Sequence, residues 1–227
     1  MQRRFMTWLL LLCAALAAPP AVADSWRLPE TETYRSGDGT WRLTVEPRAL
    51  ASQLAYFLEQ HAVDDVAPGG LPGDLRTRAT GRMERLGDDG TWQLAWDVPL
   101  ANDVAPVDVL VSDSGRVATF DNWHIVGYGD TAIVFYDPQG ARVRALALAE
   151  FLPPGWIEAL PHSASSFQWR GQPSFEADGE TVVVPLRVPG TGPRAPGGLP
   201  EYVEVRFDAR TGAVTLPDGG LPAIPAR

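Results

Sequence analysis

Residues 107–137, VDVLVSDSGRVATFDNWHIVGYGDTAIVFYD, contain the pattern that decides the fold. Short runs rich in β-branched and aromatic residues alternate here with turn residues such as Ser114 and Gly115, and one more run follows residue 137. Runs of this kind predict strands, and tight glycine turns between them favour antiparallel neighbours. The sequence therefore predicts one contiguous antiparallel sheet over residues 107–146. Its four strands are 107–111, 116–120, 131–136 and 141–146.

The same order of parts occurs three times in the chain. Each copy has a glycine turn, a strand, a variable insertion, a second strand, a second glycine turn and a third strand. The leading glycines are Gly39, Gly115 and Gly179, and the segment before each leading turn can supply a fourth strand. Constant strand order with variable loops is typical of radial or stacked β architectures. Outside the central sheet, the predicted strands are 41–45, 79–86, 91–96, 167–175, 181–188, 202–207 and 213–216.

Two predicted hairpins share a local pattern. In residues 134–143, VFYDPQGARV, and 205–214, VRFDARTGAV, an aromatic residue and an aspartate precede a glycine turn that leads into an apolar strand. This pattern resembles the last hairpin of WD40-like and related β-propeller blades. The resemblance implies a mainly β fold of blade-like, four-stranded sheets, and it transfers no catalytic residue. Residues 120–129, FDNWHIVGYG, also resemble segments of uncharacterised exported bacterial proteins, which implies no activity.

The number of copies leaves the overall architecture open. Complete propellers have about four or more blades, and only three copies are recognised here. Either one blade is degenerate, or a second copy of the chain completes the ring as a homo-oligomer. The alternative is that the sheets pack as a β-sandwich or an open barrel.

Helical periodicity occurs in three places. Residues 48–60 place Leu50, Leu54, Phe57 and Leu58 three or four residues apart, which predicts an amphipathic helix whose apolar stripe packs on a sheet. Residues 147–152 and 154–160 are long enough for one or two helical turns each. The polar segment 25–35 is interpreted as an approach to the first turn.

The N-terminus has the features of an export signal. Arg3 and Arg4 precede a short apolar run, and Ala21 and Ala23 provide the small residues of a cleavage site, which predicts a signal peptide over residues 1–23. The mature chain would then be periplasmic or secreted, with one β-repeat domain over 24–216 and a flexible tail over 217–227. After cleavage no stable membrane insertion is predicted.

Composition excludes several kinds of chemistry. The single cysteine, Cys13, lies inside the predicted signal peptide, so a mature chain has no thiolate nucleophile and no Cys-ligated metal. All nineteen basic residues are arginine, which excludes a Schiff-base lysine and a phosphate-binding P-loop. The formal net charge of −9 disfavours nucleic acid as a partner, because such binding depends on neutralising phosphates.

Residues 121–130, the connection between two strands of the central sheet, concentrate polar, aromatic and glycine residues. We call this connection the tip. Metal-ligand spacing is absent from it, and Gly127 and Gly129 lack the rest of a dinucleotide loop, so no cofactor or metal is predicted. Trp123 is expected to organise the tip, because an indole is the largest anchor it contains. The candidate ligand or partner residues are Asp121, Asn122, Trp123, His124, Tyr128 and Asp130.

Three interpretations of the tip remain open at this point. In the first, the tip binds a protein or small-molecule partner, with aromatic residues for apolar contact and polar residues for hydrogen bonds. In the second, the protein is a cell-envelope hydrolase or lyase that uses Asp121, His124 and Asp130 of the tip. In the third, the tip is purely structural. The sequence favours a non-catalytic exported binding or scaffold protein over an enzyme.

Overall fold

A computed structural model describes residues 27–59, 68–163, 165–192 and 198–224. The predicted signal peptide lies outside the described residues. Within them the chain is mainly β, with three four-stranded antiparallel sheets whose strands follow one another in chain order. The first sheet contains β1 (Glu32–Arg35), β2 (Trp41–Glu46), β3 (Thr80–Leu86) and β4 (Trp92–Pro99). The second contains β5 (Asp108–Val111), β6 (Val117–Phe120), β7 (Ile133–Tyr136) and β8 (Arg142–Leu146). The third contains β9 (Ser174–Phe175), β10 (Thr181–Arg187), β11 (Tyr202–Asp208) and β12 (Ala213–Thr215).

The predicted central sheet is confirmed. β5, β6, β7 and β8 are successive antiparallel neighbours, with Val109 opposite Thr119 and Thr119 opposite Val134. Every residue of β6 and β7 is buried, so this sheet lies between the other two and is covered on both faces. Ile133 and Phe135 face the third sheet, whereas Val134 and Tyr136 face the first. The alternation of side chains along a strand thus divides β7 between two cores.

The turns of successive sheets lie against one another. In the β1–β2 turn the Asp38 N–H donates to Asp113 Oδ1 of the β5–β6 turn at 2.9 Å. Ser114 Oγ, in that same turn, donates to the Gly179 carbonyl of the β9–β10 turn at 3.2 Å. The leading turns of the three predicted copies therefore stack in order, which agrees with blade-like sheets packed face to face.

The outer faces of the stack are polar. On the first sheet Arg42 pairs with Glu84 at 2.7 Å, and its guanidinium also lies 4.2 Å from the centre of the Trp92 ring. On the third sheet Arg206 pairs with Glu176 at 2.8 Å. Ion pairs and exposed charged side chains thus lie on the outer sheets, whereas the strands β6 and β7 of the middle sheet are buried throughout. A homo-oligomer that completes a propeller stays a prediction.

The segment 25–35 was interpreted as a polar approach to the first turn, and its last residues supply the fourth strand expected before that turn. Glu32–Arg35 form β1, which pairs with β2 through Thr33 opposite Thr44 and Tyr34 opposite Leu43. Its sequence, ETYR, is polar because β1 is an edge strand, and its side chains are mostly exposed. Alternation of apolar residues is therefore weak in this strand even though the fourth strand of the copy is present.

The first helix, α1, is shorter than predicted and buries another face. It spans Gln53–Glu59, and Ser52 Oγ accepts a hydrogen bond from the Ala55 N–H at its start. The only residue it buries is Tyr56, whereas Leu54 and Leu58 are 66% and 72% exposed. The predicted packing of the apolar stripe on a sheet is wrong for Leu54 and Leu58. Leu50 and Phe57 of that stripe are partly buried, but they pack with Tyr56 on a cluster that includes Trp123 of the tip.

The second helix, α2, spans Pro154–Ala159 and follows a 3-10 turn at Leu148–Glu150, close to the predicted helical segments. Trp156 of α2 is buried in the core between the second and third sheets. Its Nε1 donates to the Pro222 carbonyl at 3.2 Å, and Leu221 packs on the same core. The described part of the predicted tail thus contacts the domain. None of the described helices is long and apolar enough to cross a membrane.

Candidate functional site

The tip joins β6 to β7 and lies against α1 on one side and the segment 162–170 on the other. The backbone N–H of Trp123 donates to the Ala105 carbonyl at 2.8 Å, and the backbone N–H of Phe167 donates to the Val126 carbonyl at 2.9 Å. Asp121, Asn122 and Trp123 are buried, His124 and Tyr128 are half-buried, and Asp130 is exposed. The six predicted site residues therefore separate into a buried half and an accessible half.

Asp121 fixes the buried half. One carboxylate oxygen accepts from the Gly127 N–H and from Trp169 Nε1, each at 2.8 Å. The other accepts from Arg170 Nε at 3.1 Å and from its Nη2 at 2.9 Å. Burial raises the pKa of the Asp121 carboxyl, and the Arg170 guanidinium opposes that rise. A buried carboxylate with four donors is satisfied inside the fold and does not reach solvent.

Arg170 carries the charge balance of this cluster. Its Nη2 also donates to Asp108 Oδ2 at 2.7 Å, so one guanidinium joins the start of β5 to the tip. The same group lies 4.9 Å from the centre of the Phe120 ring. This arrangement holds three separate segments of the chain at fixed positions around the tip.

The backbone of the tip adopts unusual conformations. Asp121 and His124 have positive φ values of 58° and 70°, which are uncommon for residues other than glycine. Gly127 has a φ of 77°, and a Cβ there would come within 3.0 Å of Phe167 and Trp169. Position 127 therefore favours glycine for two reasons, its positive φ and its close packing.

Trp123 anchors the tip to α1. Its ring packs edge-on against Tyr56, with the ring centres 5.4 Å apart, and only 4% of the residue is exposed. The Trp123 Nε1 donates to the Arg27 carbonyl at 2.8 Å. Asn122 beside it is also buried. This position supports the expectation that Trp123 organises the connection.

The accessible half presents aromatic rings in pairs. The ring of His124 lies 4.0 Å from that of Phe57, and the ring of Tyr128 lies 4.3 Å from that of Phe167. His162 extends the second pair, because its ring centre is 5.5 Å from that of Phe167. All of these side chains are at least partly accessible. They form two small aromatic surfaces on either side of the tip.

The arrangement gives little support to acid–base chemistry. Asp121 is enclosed, so it lies out of reach of a substrate that approaches from solvent. Among the described residues, no three histidine, cysteine, aspartate or glutamate side chains come together as a metal site. The hydrolase or lyase alternative would then depend on His124 and Asp130 without Asp121.

Sequence reasoning missed the partners of Asp121 because they are distant in the chain. Trp169 and Arg170 lie 48 and 49 positions later, within a segment predicted as a strand. Asn102 was also missed, although it is buried and its Nδ2 donates to the Asp121 carbonyl at 2.6 Å. The only sequence signal for these partners is Arg170 beside an apolar Trp169, because an arginine in apolar surroundings requires a carboxylate partner. This signal is weak, since it does not indicate which carboxylate is the partner.

Comparison with known proteins adds no identity. Neither a protein-family model nor a curated protein sequence matches the chain.

Proposed function

We propose that the protein is an exported, non-catalytic binding or scaffold protein that meets its partner through the accessible half of the tip. The observation that carries this proposal is the Tyr128–Phe167 ring pair, half-buried at the surface on a connection that Asp121 holds rigid. Aromatic side chains that are fixed before binding lose little conformational entropy when they are covered. They are also enriched among the residues that dominate binding energy.

The chemistry of the surface indicates the kind of partner. Tyr128 offers a flat apolar ring with a hydroxyl group, and the exposed Asp130 adds a carboxylate two residues away. Such a surface suits a partner with an apolar ring or side chain next to a hydrogen-bond donor. A protein loop and a small molecule both fit this description.

Photo-crosslinking tests the proposal directly. A benzophenone amino acid replaces Tyr128 in the full-length protein, which is then irradiated in its own cell envelope. A specific adduct at position 128 is expected, and it should disappear when Phe167 is changed to alanine. The matched control is the same replacement at exposed Asp88, in the β3–β4 turn at the opposite end of the first sheet from α1. Equal adducts at both positions, or none at position 128, would contradict the proposal.

Export is tested separately. Because the N-terminal region has a basic start, an apolar run and an Ala-x-Ala site, the mature protein is expected to begin at Asp24. N-terminal sequencing of the protein from the envelope fraction measures this. Intact Met1 on protein recovered from the cytoplasm would contradict export.

A further inference from the structure

A cleft of about 350 Å³ lies at the junction of the first and second sheets, away from the residues that form the tip. The end of β4 and the residues after it form one wall, with Pro99 and Leu100. Tyr136 of β7 and Gly140 of the β7–β8 turn lie on the other side. The cleft is lined by Arg78, Val98, Pro99, Leu100, Ala101, Tyr136, Gly140 and Arg142.

Two arginines give this cleft its charge. Arg78 and Arg142 are both exposed, and neither forms an ion pair with a carboxylate in the described part of the chain. Most other described arginines pair with a carboxylate or lie over an aromatic ring, as Arg42 and Arg85 do. Both guanidinium groups line the cleft, so an anion bound there would be attracted by two positive charges.

The positions of the two arginines are partly fixed. Arg78 Nη1 donates to the Ala101 carbonyl at 3.1 Å, so the guanidinium is held at the cleft wall. Arg142 lies opposite Tyr136 in the β7–β8 pairing. Both charges act on the Tyr136 hydroxyl, where they oppose the rise in its pKa that burial causes. That hydroxyl accepts the Ala101 N–H at 2.7 Å and closes the floor of the cleft.

An apolar wall lies beside the arginines. Val98 and Pro99 have accessible side chains without a charge or a hydrogen-bonding group, whereas Leu100 is buried. Together with the two guanidinium groups they match a ligand with one charged end. Arginine binds planar oxyanions well because two parallel N–H groups can meet two oxygens. The cleft volume is in the range of sites for small ligands, roughly 300–1,000 Å³.

We propose that this cleft binds a small organic carboxylate, with the carboxylate between Arg78 and Arg142 and a short apolar body against Val98 and Pro99. The site is distinct from the proposed partner surface at Tyr128 and does not depend on it. It gives a strongly acidic protein one local position at which an anion is attracted.

Titration of the full chain with N-acetyl-leucine tests the site. Backbone amide NMR signals of Ala101 and Arg142 are expected to shift with a saturable, millimolar dissociation constant. N-acetyl-leucinamide, which lacks the charge, and acetate, which lacks the apolar body, should each bind about tenfold more weakly or not at all. Tighter binding of inorganic phosphate than of N-acetyl-leucine would overturn the assignment to carboxylates.

Variants locate the binding. Arg78→Gln and Arg142→Gln should each weaken binding about tenfold, and the double variant should abolish it. Arg85→Gln, which removes the same charge from another part of the first sheet, is the control and should bind like the unchanged protein. Thermal melts confirm that each variant is folded. Equal binding by all variants, or signal shifts confined to residues outside the cleft, would overturn the proposal.

Discussion

At the scale of single residues, Asp121 shows how a distant charge fixes a connection that looks flexible in the sequence. Its neighbours include two glycines, Gly127 and Gly129, which by composition predict mobility. Its carboxylate nevertheless receives donors from both the tip and the segment at Trp169 and Arg170. The sequence placed Asp121 in a candidate site but gave no sign of these partners, since contacts across about fifty positions leave no local pattern.

Asp121→Asn is the sharpest test of this cluster. Asparagine tolerates the positive φ as well as aspartate does, so the change isolates the charge. Its amide group would face the donors of Arg170 and leave a buried guanidinium paired with Asp108 alone. The free energy of unfolding is expected to fall by about 3–5 kcal/mol, measured by urea denaturation. Asp130→Asn, at the exposed end of the tip, is the control and should stay within about 0.5 kcal/mol. Equal effects would show that burial of Asp121 is not decisive.

Trp123→Ala tests the anchor of the tip. The ring is buried against Tyr56, so its removal should lower the free energy of unfolding by about 3–5 kcal/mol. Trp123→Phe keeps a ring at this position and loses the hydrogen bond to Arg27, so a smaller loss is expected. Urea denaturation again gives the values. An unchanged midpoint for Trp123→Ala would mean that the indole does not organise the tip.

At the scale of secondary structure, most strands were predictable, but the predicted strand 167–175 is wrong except for Ser174–Phe175, and the buried face of the first helix was not predicted. The predicted bounds of β6 and β10 differ from the observed ones by one residue at one end, because turn residues such as Gly115 and Gly179 bound each strand. In α1, by contrast, Leu54 and Leu58 supplied the apolar period while Tyr56 is the residue that is buried. Aromatic contact with Trp123 decides the orientation of this short helix, and no helical period in the sequence contains that information.

Two alanine substitutions within α1 test its orientation. Tyr56→Ala should cost about 3–5 kcal/mol of unfolding free energy, because it removes a buried ring that packs on Trp123. Leu58→Ala, the matched change two positions later, removes a side chain that is mostly exposed and should cost less than about 0.5 kcal/mol. Both values come from urea denaturation. A larger loss for Leu58→Ala would restore the predicted leucine face.

At the scale of the whole molecule, the middle sheet explains why three copies suffice for a core. Its faces are covered by the first and third sheets, so the chain builds two hydrophobic clusters from one buried sheet. The repeat in the sequence predicted three similar sheets, and this is confirmed. The order in which the sheets stack was not predictable, because the sequence does not show which sheet faces are charged. The ion pairs of Arg42 and Arg206 mark the outer faces, and their partners are identified only once the strand pairing is known.

The stacked turns make the fold sensitive to acid. In the β1–β2 turn, hydrogen bonds from Ser36 and then from Thr40 lower the pKa of Asp38 to about 2. A hydrogen bond from the Thr91 N–H likewise lowers the pKa of Asp89. The pKa of Asp178 is lowered by hydrogen bonds, of which the one from the Glu180 N–H has the largest effect. A carboxylate whose pKa is lowered by folding stabilises the protein above its ordinary pKa. That contribution is lost as the pH falls through the pKa of the folded state, so stability should decline from about pH 4 to pH 2.

Asp38→Asn isolates one part of this effect. The amide keeps an acceptor oxygen for the Thr40 N–H but cannot ionise, so the variant should be less stable than the unchanged protein at pH 7. Solvent screens this exposed group, and the expected loss is below about 1 kcal/mol. Urea denaturation across pH 2 to 7 should show the difference shrinking as the pH approaches 2, because Asp38 itself is then partly protonated. Asp88→Asn removes the same charge from an exposed position of the β3–β4 turn and serves as the control. A difference for Asp38→Asn that persists unchanged at pH 2 would show that the carboxylate charge does not stabilise the turn.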